Sequence, residues 1–170
     1  MTIAAIEVRP ASLSDLPRLT EIYNHYVINT PITFDIEPKT VEGRVSWFEQ
    51  FGPKGRYRLL VADDNGVIVG YAGTTRFRPK AAYDTTVETT VYCAPESKSQ
   101  GIGSRLYAAL FDSIAEEDIQ LIVAGYTLPN VASEALHKRF AFKPVGIFAQ
   151  VGRKFGRYWD VAWTQRLLRP

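Results

Sequence analysis

Apolar residues recur at Leu16, Leu19, Ile22, Tyr23, Tyr26 and Val27, spacings of three and four that predict an amphipathic helix. Ser14 stands where its N-cap belongs, and Asp15 follows in the first turn, where the helix dipole favours negative charge. Pro17 is tolerated there because first-turn N–H groups lack an intrahelical acceptor. A short apolar stretch closing at Val8 predicts a preceding strand. Residues 29–38, with two prolines and Phe34-Asp35 at their centre, read as an ordered loop. Thr40 then caps a second helix with Val41, Val45, Phe48 and Phe51 on its inner face.

Residues 57–62 and 67–72 are rich in β-branched and aromatic side chains, and Asp64-Asn65-Gly66 between them predicts a hairpin turn. A loop with Arg76, Arg78, Pro79 and Lys80 leads to a Val/Thr strand over 86–93, which Pro95 ends. Ile102, Leu106, Leu110 and Ile114, spaced by four, predict a helix starting near Gly101. A short buried strand over 121–124 follows, then a helix opened by Asn130 or Ser133 and running through Arg139. Two closing strands, 144–151 and 159–168, meet at a turn around Gly156. Hairpins first and a strand–helix–strand unit later predict an α/β domain with a largely antiparallel sheet.

At 170 residues the chain is expected to form one domain, residues 1–170. With 46% hydrophobic residues it has apolar surface enough to offset ordering entropy, which excludes a disordered chain. Twenty basic against 18 acidic residues leave a net charge of +2, too balanced to point to nucleic acid. No run approaches the ~20 apolar residues of a membrane span. No basic-then-apolar leader opens the chain, and the lone Cys93 cannot form an intrachain disulfide. A soluble cytoplasmic protein is therefore expected. Two histidines and one cysteine nearly exclude a His/Cys metal cage, though not a carboxylate-only site; no metal is expected.

The segment with chemistry in it runs from Val91-Tyr92-Cys93 through Lys98-Ser99-Gln100-Gly101-Ile102-Gly103-Ser104 into a helix. N–H groups at a helix start are unpaired and the dipole there favours an anion. Gly101 and Gly103 would let a phosphate approach the backbone, and Lys98 adds charge. The spacing fits neither a P-loop, which lacks its Gly-Lys-Ser/Thr here, nor a dinucleotide fingerprint, whose third glycine is replaced by Leu106. Taken alone, the glycine pair is equally a tight turn before an amphipathic helix.

The same segment resembles the coenzyme A loop of the Gcn5-related N-acetyltransferase (GNAT) superfamily, Gln/Arg-x-x-Gly-x-Gly/Ala after a strand. Leu128-Pro129-Asn130-Val131-Ala132-Ser133, Leu136-His137 and Phe140-Ala141-Phe142 resemble that superfamily's Asn-x-x-Ala-x-x-Leu-Tyr-Glu-x-x-Gly-Phe segment. Further pieces resemble the phosphinothricin acetyltransferase family in order and spacing: Ile22-Tyr23-Asn24, Thr33-Phe34, Glu37-Pro38, Ala82-Tyr83-Asp84, Thr86-Val87-Glu88, and Lys154-Phe155-Gly156-Arg157 with Asp160. Together they span residues 6–168. Departures are Lys98 in place of Gln or Arg, Ala141 in place of Gly, and His137 at the position of a frequent tyrosine acid.

The resemblance implies a GNAT fold, a mixed and mostly antiparallel sheet with a splayed central strand pair flanked by helices. It implies acetyl-CoA as co-substrate, a small amino-acid-like amine as acceptor, and a homodimer. Val91, Tyr92 and Cys93 would hold the pantetheine arm, with the Val91 N–H donating to the acetyl carbonyl. Ser99 to Ser104 would hold the pyrophosphate, Asn130 would contact the coenzyme nearer the thioester, and Ser133 is a further coenzyme contact. Glu88, a carboxylate in a Thr/Val strand, is the candidate base, and His137 and Tyr92 are candidate acids. Phe34, Arg78, Lys80, Tyr83 and Thr90 are candidate acceptor contacts. Arg78 and Lys80 also read as an exposed basic loop, and Val91 and Tyr92 as sheet core. Asp35 stands where phosphinothricin-specific members carry a basic residue, which leaves methionine sulfoximine and methionine sulfone as alternative acceptors. A protein N-terminal or lysine acetyltransferase, and a non-catalytic coenzyme A-binding domain, are the competing readings.

Overall fold

The computed structural model describes residues 6–97 and 101–169. Seven strands form one sheet in the order β1-β2-β3-β4-β5-β7-β6. In sequence they are β1 (Glu7–Pro10), β2 (Leu59–Asp64), β3 (Val67–Arg76), β4 (Thr86–Cys93), β5 (Leu121–Thr127), β6 (Lys143–Lys154) and β7 (Arg157–Leu167). The helices are α1 (Leu16–Asn29), α2 (Val45–Phe48), α3 (Ile102–Ser113) and α4 (Val131–Arg139). Every neighbouring pair is antiparallel except β4 and β5.

The two faces bury different sets of side chains, as a period of two requires. Leu60, Ala62, Val87, Ile122 and Ala124 pack against Leu106, Tyr107, Leu110 and Phe111 of α3. Leu59, Val61, Ile68 and Tyr71 pack on the opposite face against Leu19, Ile22 and Tyr26 of α1, with Trp47 and Phe48 of α2 at the margin. Leu106 and Leu110 are wholly buried, and each such burial contributes about 1.5–3 kcal/mol.

The parallel pair sets up the rest. β4 and β5 are in register only at Thr86↔Leu121, Val87↔Ile122 and Glu88↔Val123. Beyond Glu88, β4 stays with β3 through Cys93, while β5 stays with β7 through Thr127. Each strand is held by its antiparallel neighbour, so the two part, and the expected splayed central pair is present.

The first helix starts later than expected. A 3-10 turn over Leu13–Asp15 precedes it, with the Asp15 carboxylate accepting from the Ser12 N–H at 2.7 Å and from Arg9 at 2.8 Å. Ser14 is therefore not its cap: Asp15 stands at the N-cap position, and the Ser14 hydroxyl pairs with Ser12 Oγ at 2.8 Å. The second helix is cut to a 3-10 turn, Glu42–Arg44, and the single turn of α2. Thr40 Oγ1 accepts from the Gly43 N–H at 3.0 Å, so the threonine closes a turn instead of a long helix. β4 keeps its expected bounds and β7 starts two residues early, while β3, β5 and β6 run on past their expected ends; ladder bonds carry β3 through Gly73 and β5 through Gly125, glycines that give no strand signal. Ala141 adopts φ +61 and keeps the turn that a glycine would make, with Phe142 N–H donating to His137 O at 3.0 Å.

Candidate functional site

Main-chain polarity along β4 follows from one bond. Ala94 N–H donates to Val69 O, which places Ala94, Tyr92, Thr90 and Glu88 with their amide edges toward β3. The amide edges of Cys93, Val91 and Thr89 therefore face β5, and beyond Glu88 no β5 backbone is in register with them. A row of N–H and C=O groups opens into the split, where an extended ligand can pair with it, although the Cys93 carbonyl already accepts from Tyr26 Oη at 2.5 Å.

A cleft of about 640 Å³ occupies the split. Val91, Tyr92 and Cys93 line it from β4, and Gly101, Ile102, Gly103 and Ser104 from the start of α3. Asn130, Ser133 and Leu136 of α4 and its cap form the far wall, and Arg139 is the one charged lining residue among those described. Gly101 is the N-cap of α3 at φ +70, a left-handed conformation that only glycine adopts without penalty. Arg105 N–H makes the first helical bond, to Gly101 O at 3.1 Å, so the preceding N–H groups are free of intrahelical partners. A Cβ on Gly103 would meet Leu136 at 3.4 Å. Donors free of helical partners, the positive end of a helix dipole and missing side chains coincide at one end of the cleft, a combination that suits a diphosphate, with the Gly103 N–H resting against the Cys93 thiol. Lys98, Ser99 and Gln100, expected in the same loop, lie outside the described residues.

A smaller extension of the cleft reaches inward between β4 and β5, lined by Thr90, Tyr92, Gly125, Tyr126 and His137. His137 is buried, with Nδ1 2.7 Å from Ser133 O and Nε2 3.1 Å from Tyr107 Oη. A carbonyl only accepts, so Nδ1 carries the proton and Tyr107 donates to Nε2. Burial holds the imidazole below its usual range and keeps it neutral. Its one N–H is directed to its own helix, which leaves no proton for a leaving group. Asn130 likewise directs Oδ1 to the Ser133 N–H at 3.0 Å as the α4 cap.

Glu88, Thr90 and Tyr92 alternate onto the α1 face of β4. Glu88 is half-buried, and that burial raises its carboxyl pKa, with Arg78 opposing. Tyr92 packs edge-on to Tyr23 at 5.4 Å and against Tyr26 and Tyr71. Burial pushes its phenol well above the ordinary value, so the O–H keeps its proton. Arg78 is exposed, its guanidinium 4.9 Å from the Phe77 ring. Phe77 in turn meets Tyr83 at 5.8 Å and Trp163 at 6.3 Å, a wall near Glu88. Lys80 lies exposed before the 3-10 turn Ala81–Tyr83 and lines neither part of the cleft.

The segment 30–38 crosses the mouth of the split. Ile32 lines both parts of the cleft, and Phe34 lies over Gly152. Asp35 accepts from Tyr23 Oη of α1 at 2.6 Å and pairs with Lys39, just past the segment, at 3.3 Å, so its charge is engaged by protein groups. Ile32, Leu136, Arg139, Phe77 and Trp163 were not expected at the site. A lone apolar residue in a loop, or one on a strand face, carries no sign of what it will line. Among the described residues no group of three or more His, Cys, Asp or Glu could hold a metal ion, and no helix is long and apolar enough to cross a membrane.

Comparison with known proteins matches these features. A family model described as an acetyltransferase (GNAT) domain matches residues 8–163. A phosphinothricin N-acetyltransferase of Streptomyces coelicolor is 54% identical over 167 residues, covering 97% of this chain and 98% of its own. An L-methionine sulfoximine/L-methionine sulfone acetyltransferase of Pseudomonas aeruginosa is 34% identical over 163 residues, 96% of this chain and 95% of its own. The crystal structure of a GNAT superfamily phosphinothricin acetyltransferase from Sinorhizobium meliloti, in complex with AcCoA, superposes with a TM-score of 0.89 at 31% identity, covering 95% of this chain and 88% of that one.

Proposed function

The chain belongs to the GNAT acetyltransferases, and from that premise we propose that it moves an acetyl group from acetyl-CoA to the amine of a small amino-acid-like acceptor, of the phosphinothricin, methionine sulfoximine or methionine sulfone type. The observation that carries this reading is the unpaired amide edge of Val91 beside the N-terminus of α3. Bound there, the carrier supplies a thioester carbonyl open to attack by a neutral amine. Residues 1–170 act as one domain in this account.

The chain's own groups have distinct tasks. Gly101, Ile102, Gly103 and Ser104 offer backbone donors to the diphosphate, and the β4 edge from Val91 to Cys93 pairs with the pantetheine amides. The Val91 N–H is the donor toward the carbonyl oxygen as negative charge develops on it. Glu88 accepts the proton that the amine loses. Tyr92, protonated and lining both parts of the cleft, donates a hydrogen bond to the departing sulfur. His137 positions α4 against Tyr107 and is not the acid. Arg78 presents a charge to an anionic group on the acceptor, while Phe34, Tyr83 and Thr90 bound its apolar part. Asp35 is held by Tyr23 and Lys39, so it does not repel an anionic acceptor as a free carboxylate would.

A second copy of the chain is proposed on β6 and β7. Ile147, Phe148 and Val151 of β6 and Tyr158 of β7 are each more than half exposed, apolar side chains on a hairpin at the sheet edge that a second copy would cover. A reducing cytoplasm suits the unpaired Cys93.

Release of free thiol from acetyl-CoA with a panel of amines tests the function. Turnover is expected on methionine sulfone, methionine sulfoximine or phosphinothricin. Turnover on peptides alone would replace this reading with a protein acetyltransferase, and tight binding of acetyl-CoA with no turnover on any amine would replace it with a coenzyme-binding domain.

A further inference from the structure

Gly152 differs from the other glycines of the sheet. A Cβ placed on it would come within 2.2 Å of Phe34 Cε2 and 2.3 Å of Cζ, whereas one on Gly146 of the same strand would meet nothing within 4 Å. The backbone at Gly152 is not left-handed, so its conformation does not call for glycine. The space does. The Phe34 ring lies directly on the β6 main chain.

Phe34 is one of a row of contacts that hold the 30–38 segment. Thr127 Oγ1 of β5 donates to Pro31 O at 2.7 Å, and Lys154 Nζ, two residues beyond Gly152 and on the same face, donates to Thr33 O at 2.8 Å. From α1, Tyr23 Oη reaches Asp35 at 2.6 Å and Thr33 Oγ1 at 2.9 Å. Ile32 sits among these contacts and is the residue that enters the split. The β6 bulge between Phe148 and Gly152, with Gln150 at φ +54 and its N–H on Asp160 Oδ1 at 2.7 Å, aims Gly152 at the ring.

We propose that Gly152 is a positioning residue for acceptor recognition: its missing side chain is the socket that seats Phe34 and sets the height of the 30–38 segment over the β4–β5 split. The proposal rests on the acetyltransferase reading and extends it to a hairpin remote from the reacting atoms. A methyl group at 152 lifts Phe34, tilts Ile32 out of the split and loosens the acceptor site, while the far end of the cleft, built from α3 and α4, stays as it is.

Gly152→Ala tests this. The KM for methionine sulfone is expected to rise roughly tenfold, the factor that about 1.4 kcal/mol of lost acceptor binding gives. The Kd for acetyl-CoA, held chiefly at the α3 end of the cleft, should change far less than the KM by calorimetry, and amide exchange across 30–38 should quicken. Phe34→Ala removes the ring, so adding Gly152→Ala to it should change neither KM nor exchange further. An unchanged KM in Gly152→Ala, or an equal rise in the Phe34→Ala background, would overturn the proposal. If the unaltered chain acetylates no amine, the proposed function fails by itself. Exchange across 30–38 then still decides the socket: no quickening in Gly152→Ala rejects it, and quickening that vanishes with Phe34→Ala supports it.

Discussion

Replacing Glu88 with glutamine keeps the shape of the side chain and removes its ability to take a proton. A peptide α-ammonium group has a pKa of about 8 and the carboxylate of a free amino acid raises it, so at pH 7 no more than about one amine in ten is neutral, a cost of at least about 1.4 kcal/mol. General bases contribute roughly 10²- to 10⁴-fold. Glu88 works on an amine already close to its own titration, which puts the loss near the lower end, about 10²-fold in kcat/KM at pH 7. The pH profile carries the sharper signature. Burial raises the Glu88 pKa, and a base acts only when deprotonated, so the native acid limb lies above the ordinary carboxylate range. Arg78 opposes that shift, and Arg78→Ala should move the limb further up. In Glu88→Gln only amine neutralised by solvent reacts, so kcat/KM climbs about tenfold per pH unit up to the amine pKa. The deficit against the native enzyme should therefore narrow by at least about tenfold between pH 7 and pH 9. Thiol release across that range gives the ratio, and calorimetry should show an unchanged Kd for acetyl-CoA. A deficit constant with pH, or no deficit at pH 7, would remove Glu88 from the chemistry.

Two further substitutions test other parts of the account. Gly103→Val sends its methyls toward Leu136 and the diphosphate end of the cleft, where even a Cβ already stands 3.4 Å from that leucine, and calorimetry should show acetyl-CoA binding weakened by about tenfold or more. Ala141→Gly relieves a φ of +61 and should stabilise the fold by about 1 kcal/mol, read as a rise in the denaturation midpoint; no rise would mean that the turn is not strained.

Much of the fold was legible because local pattern and tertiary demand agree. β4 over 86–93 and the start of α3 at Gly101 follow from a Val/Thr run, a proline and leucines spaced by four. The second helix was not legible, because Thr40, Val41 and Val45 suggest a long amphipathic face. Arg44 is instead buried against Tyr23 and Trp47, and α2 is a single turn. The coenzyme end of the site showed in the glycine pair because phosphate binding restricts backbone sterics, and those restrictions are written in residue type. His137 shows the reverse. Its place in the motif suggested an acid, but only the distances to Ser133 and Tyr107 reveal where its proton lies. Ile32 and Gly152 could not be read at all, since the loop and hairpin that bring them to the split lie far apart in the chain.

The central claim is that the gap between β4 and β5 holds the thioester and the start of α3 holds the diphosphate. A crystal structure of the chain with acetyl-CoA tests it most directly. The account predicts the acetyl carbonyl at about 2.9 Å from the Val91 N–H, a normal hydrogen-bond distance, and the diphosphate against the N–H groups that follow Gly101. Acetyl-CoA bound outside the split, or the Val91 N–H paired with protein while the carrier is bound, would contradict it.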